Sequence, residues 1–67
     1  MVRLTRLRAL REQVPMTQEE LASAAGLNRV TIAKIEAGTV EPYPSTVRKL
    51  ADALGIEARE LMRAEEG

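Results

Sequence analysis

Apolar residues recur at helical intervals along this chain, and proline and glycine cut the pattern into short blocks. Leu7, Leu10 and Val14 fall at i, i+3 and i+7 with Leu4 on the same side, which predicts an amphipathic helix over roughly residues 2 to 13. Pro15 ends it, because its ring moves Val14 out of the α region and it has no amide to donate. Thr17-Gln18-Glu19-Glu20 reads as a capping box, in which the Thr17 hydroxyl accepts from the Glu20 amide and the Glu20 carboxylate reaches back. The second helix that it opens is expected to run to Ala25, where Gly26 supplies a positive φ and Leu27 closes the contact beyond the stop. Asn28 is a good N-cap for a third helix, Arg29 to Ala37, with Ile32 and Ile35 inward and Gly38 as its end. Thr39 to Tyr43 reads as a loop. Pro44 suits the first turn of a fourth helix, whose stripe of Val47, Leu50, Ala51 and Leu54 stops at Gly55. A last short helix, Ala58 to Arg63, turns Leu61 and Met62 inward, and Glu65, Glu66 and Gly67 are expected to fray.

Composition sharpens this into an all-α, compact five-helix bundle: the apolar residues are largely Ala and Leu, and Tyr43 is the one aromatic residue. Sixty-seven residues leave room for a single domain, 1–67, with a small core and no ligand-sensing partner domain. The absence of Cys and His excludes a thiolate or imidazole metal site, a disulfide framework, a Cys nucleophile and a His general base. Carboxylates and hydroxyls are present but form no visible constellation of nucleophile, base and oxyanion donor, so neither an enzyme nor a cofactor is expected. No apolar run approaches the ~18 residues of a membrane span, and the start MVRLTRLRALREQ lacks a signal-peptide core, so the chain reads as cytoplasmic. Net charge is zero, which gives no global electrostatic reason to expect nucleic acid. The charges are unevenly spread, however. Residues 1–11 hold four arginines and no acid, residues 12–49 four basic and five acidic groups, and residues 50–67 two basic and five acidic.

The second and third helices, joined by a short turn over 18–37, carry a helix-turn-helix pattern. Leu21, Ala25, Leu27, Ile32 and Ile35 would form their shared core, with Ala22 keeping the second helix slim where the third crosses it. Positions 29, 30, 33 and 34 then lie on one face of the third helix, opposite the buried isoleucines. The stretch TQEELASAAGLNRVTIAKIEAG followed by PSTVRKLADALGI resembles the Xre/Cro family of phage and bacterial repressors, and the likeness covers nearly the whole chain. It implies a lambda-repressor-like bundle, dimeric on double-stranded DNA, with the third helix in the major groove. Arg29, Val30 and Lys34, with Thr31 and Ala33 beside them, would then face the bases. Arg and Lys there can donate to guanine O6 and N7, while Val30 and Ala33 can meet a thymine methyl, so the half-site is expected to include a G·C pair. By the same resemblance Gln18 holds a backbone phosphate with Thr17 beside it, and Tyr43, Ser45 and Thr46 approach another at the start of the fourth helix. Arg11 and Glu36 match a structural ion pair joining the first helix to the third.

Each residue also has a plainer reading. Arg29 and Lys34 taken alone are ordinary surface charges, Thr17 and Ser45 are caps, and Tyr43 packs on its loop. Arg3, Arg6 and Arg8 read as a solvated face, with a phosphate-touching arm as the alternative; Leu61 and Met62 read as core, with a dimer patch as the alternative. Two departures from the family pattern stand out. The loop Thr39-Val40-Glu41-Pro42 has no basic residue and its Glu41 would repel phosphate, and Val14-Pro15 replaces a common basic residue and glycine. The expectation is a homodimeric DNA-binding transcriptional regulator, a repressor, with no small-molecule ligand. The alternative is a protein-interaction module of the same fold, an antitoxin or adaptor with secondary DNA binding, which the neutral charge and acidic loop favour.

Overall fold

The computed structural model, which describes residue 4 and residues 6–63, contains five α-helices: α1 (Leu7–Gln13), α2 (Gln18–Ala25), α3 (Arg29–Ala37), α4 (Pro44–Leu54) and α5 (Ala58–Met62). None exceeds eleven residues, shorter than the ~12–15 at which an isolated helix becomes marginal in water, so their stability comes from a shared core. The largest side chains that are fully buried come one from each helix: Leu7, Leu21, Ile32, Leu50 and Leu61. Burying a side chain of this size contributes about 1.5–3 kcal/mol. Leu4, Leu10, Ile35, Val47 and Leu54 extend the same cluster, and α2 packs on both α3 and α4 while α4 packs on α5. No helix is long and apolar enough to cross a membrane.

One boundary and the burial of two side chains differ from the sequence expectation. The first helix begins at Leu7, after a turn in which the Leu7 amide donates to the Leu4 carbonyl at 3.1 Å. Leu4 reaches the core from outside the helix, and residues 2, 3 and 5 lie outside the described residues. Val14 was expected on the apolar stripe but is 41 % exposed. It caps the helix, its amide bonding back three residues to Arg11, and this tightened turn before Pro15 swings the side chain outward. Met62 was expected inside and is 44 % exposed. Leu61 fills the inward position of the five-residue α5, and Arg63 is already extended. The expected fraying of Glu65, Glu66 and Gly67 lies outside the described residues.

Arg6 is not a solvated cation. Its Nη1 donates to Glu60 Oε1 at 2.9 Å and to the Glu60 carbonyl at 3.3 Å, tying the start of α1 to α5. Arg8 pairs with Glu12 one turn along α1, and Arg3 lies outside the described residues.

Candidate nucleic-acid interface

Local chemistry fixes α2 and α3 at each end. The Thr17 hydroxyl accepts from the Glu20 amide at 3.0 Å, and the Thr17 amide donates to Glu20 Oε1 at 2.8 Å. The bond from the Thr17 amide to the carboxylate, and secondarily the Thr17 side chain, favour the charged form and hold Glu20 below its ordinary pKa. Gly26 sits at φ +70°, which an L side chain resists, and lets the Leu27 amide return to the Ala22 carbonyl at 2.8 Å. Asn28 then accepts from the Val30 amide at 2.8 Å, and Gly38 at φ +77° closes α3.

This framing sets which side of α3 faces outward. Ile32 and Ile35 are buried, while Arg29, Val30 and Lys34 are exposed and Thr31 and Ala33 half-buried. Thr31 and Lys34 also line a groove of about 390 Å³ together with Val40, Glu41, Tyr43 and Thr46, so part of the expected base-facing set and part of the expected phosphate-facing set share one depression. Tyr43 is 77 % exposed there. It also occupies the N-cap of α4 without a side-chain cap bond; Pro44 follows, and no acid lies in the first turn. Ser45 is exposed and does not cap. The α4 terminus therefore offers uncapped amides and the positive end of its dipole without a carboxylate in its own first turn, although Glu41 lines the adjoining groove. The α2 terminus is less open, because Thr17 is engaged with Glu20 and both Glu19 and Glu20 lie in the first turn.

Beneath this face Arg11 and Glu36 meet. Arg11 Nε donates to Glu36 Oε2 at 2.7 Å, Nη2 to Oε1 at 3.2 Å, and Nη1 to the Met16 carbonyl at 2.7 Å. Hydrogen bonding to Glu36 raises the Arg11 pKa above its ordinary value against the opposing effect of burial. The Gln18 side chain joins the pair, its Nε2 donating to Glu36 Oε1 at 3.1 Å. That contact is not legible in sequence, because helical spacing says which residues share a face and not which faces touch.

Ion pairing redistributes the charge. Among the described residues Arg6, Arg8, Arg11, Arg59 and Arg63 each pair with a glutamate, whereas Arg29, Lys34, Arg48 and Lys49 have no ion-pair partner. The four free cations all lie on α3 and α4. Lys49 was not singled out in the sequence; it stands three residues beyond Thr46, one turn further along the same side of α4.

A helix-turn-helix family model matches residues 7–61. The HTH-type transcriptional repressor RghR of Bacillus subtilis is 44% identical over 57 residues, covering 84% of this chain and 42% of RghR. The chain thus spans about two fifths of that relative's length. Among solved structures, the restriction-modification controller protein C.AhdI from Aeromonas hydrophila is 42% identical with a TM-score of 0.83, covering 85% of this chain and 86% of that one. The P22 c2 repressor protein in complex with a synthetic operator is 25% identical with a TM-score of 0.83, covering 97% of this chain and 98% of that one.

Proposed function

The chain belongs to the helix-turn-helix family of the Xre/Cro type, and from that premise we propose that it is a sequence-specific DNA-binding transcriptional regulator, a repressor that acts by occupying an operator. The family is one of DNA-binding regulators and not an enzyme class, and in this reading the chain performs no chemistry. The observation that carries it is that, among the described residues, the cations without an ion-pair partner all lie on α3 and α4, with Lys34 sharing a groove with Thr46 at the uncapped α4 terminus. A net charge of zero therefore does not oppose DNA binding, because most of the remaining positive charge is cancelled locally by glutamates. The comparisons favour this reading over the interaction-module alternative.

In the proposed complex α3 lies in the major groove. Arg29 and Lys34 donate to guanine edges, Val30 and Ala33 give apolar contact, and Thr31 serves the margin toward α4. The amides of Ser45 and Thr46 hold one phosphate with the Tyr43 hydroxyl nearby; the α2 terminus, through Gln18 and Thr17, holds another. The chain acts as one DNA-binding unit in the cytoplasm and binds as a homodimer, with half-sites about 34–36 Å apart.

The test is fluorescence anisotropy of the chain with a duplex selected from a random pool and with an unrelated duplex, across a salt series. Selected sites are expected to bind about 10³-fold or more tighter than the unrelated duplex. Affinity for every duplex weaker than about 10⁻⁴ M at physiological salt would remove the regulator reading.

A further inference from the structure

Gln18 is proposed above to touch phosphate, yet its side chain is already held. Its Nε2 donates to Glu36 Oε1 at 3.1 Å, and the same oxygen accepts from Arg11 Nη2 at 3.2 Å. Arg11 Nε takes the other oxygen at 2.7 Å. The Arg11 and Glu36 side chains are only 10% and 6% exposed, and among the described residues no buried side-chain nitrogen or oxygen lacks a partner. A carboxylate has no proton to offer, so it selects one orientation of the Gln18 amide, with nitrogen toward Glu36 and the carbonyl away from it. One N–H of Nε2 remains unspent.

We infer that Glu36 is a positioning residue for DNA binding: it fixes the Gln18 amide so that the remaining side-chain N–H and the Gln18 backbone N–H converge on one phosphate. This rests on the DNA-binding reading and extends the ion pair from a fastening between α1 and α3 to part of the interface. A solvated glutamine loses most of its rotamer freedom when it binds; here folding has already imposed that loss, and the contact is preorganised. Arg11 contributes by orienting Glu36 and, through the Met16 carbonyl, by holding the chain just before α2.

The test separates stability from positioning. Replacing both charges together, Arg11→Met with Glu36→Leu, leaves no unpaired buried ion, so the variant is expected to keep a cooperative melt. On a duplex selected with the wild-type chain its affinity is expected to fall about ten- to a hundredfold, the scale of one hydrogen bond to a charged group. Ethylation interference is expected to weaken at a single phosphate, the same one weakened in Gln18→Ala, and adding Gln18→Ala to the double variant should cost nothing more. Unchanged interference at every phosphate, or additive losses, overturns the positioning role. If the double variant does not fold, the wild-type chain still decides the matter: the Gln18 side-chain amide is expected to show a ¹⁵N heteronuclear NOE near backbone values, and that of a freely turning glutamine overturns the proposal. Failure of the wild-type chain to bind any duplex overturns the DNA-binding reading itself, and this inference with it.

Discussion

Glu41 stands in the groove with Lys34, Tyr43 and Thr46, where the proposed phosphate path passes. Its carboxylate repels that path, so Glu41→Gln is expected to tighten binding to selected and unrelated duplexes alike, most strongly at low salt. Equal affinities across a salt series would place Glu41 off the path. Base-reading residues are expected to behave differently. Arg29→Ala and Lys34→Ala should leave the circular-dichroism melt intact while each costs about 1–3 kcal/mol of specific binding, whereas Lys49→Ala should weaken all duplexes and reduce the salt slope by about 1. Arg11→Ala belongs to a third class. It strands Glu36 in a buried site and is expected to cost about 3–5 kcal/mol of stability, read as a large drop in melting temperature. The Arg11–Glu36 pairing could be anticipated from family resemblance, but the Gln18 and Arg6 contacts could not, because helical spacing does not say which faces of different helices touch.

Helix ends were legible where their signals are local. The Thr17 box, the Asn28 cap, Pro44 and the stops at Gly26, Gly38 and Gly55 bound α2, α3 and α4 where the sequence places them. The start of α1 and the outward turns of Val14 and Met62 were not legible, since tertiary packing and helix length decide them. The local devices carry measurable stability. Thr17→Ala removes the acceptor for the Glu20 amide and is expected to cost about 1 kcal/mol in chemical denaturation. For Gly26→Ala nothing lies within 4 Å of the added Cβ, so the cost is conformational alone, about 1–2 kcal/mol, and a repacked core would not recover it.

At the scale of the whole molecule, Glu60 and Glu20 make stability respond to acid. Glu60 is held below its ordinary value of 4.5 by hydrogen bonds from Arg6 and then Arg63. A carboxylate depressed in the folded state stabilises fully above its unfolded pKa and loses that contribution as pH falls through the folded value. Glu20 acts in the same sense through its bonds with Thr17. Thermal melts are therefore expected to vary little from neutrality down to about pH 5 and to fall below the carboxylate value of 4.5, with a shallower fall in Arg6→Gln. A melting temperature unchanged at pH 3 would contradict this. A different consequence follows from the division of α3 between buried Ile32 and Ile35 and the exposed positions 29, 30 and 34. In the proposed complex, foldability and target choice reside on different residues of one nine-residue helix. Descendants of such a chain can change their operator by substitution at positions that the core does not constrain, so recognition can diverge while the scaffold stays the same.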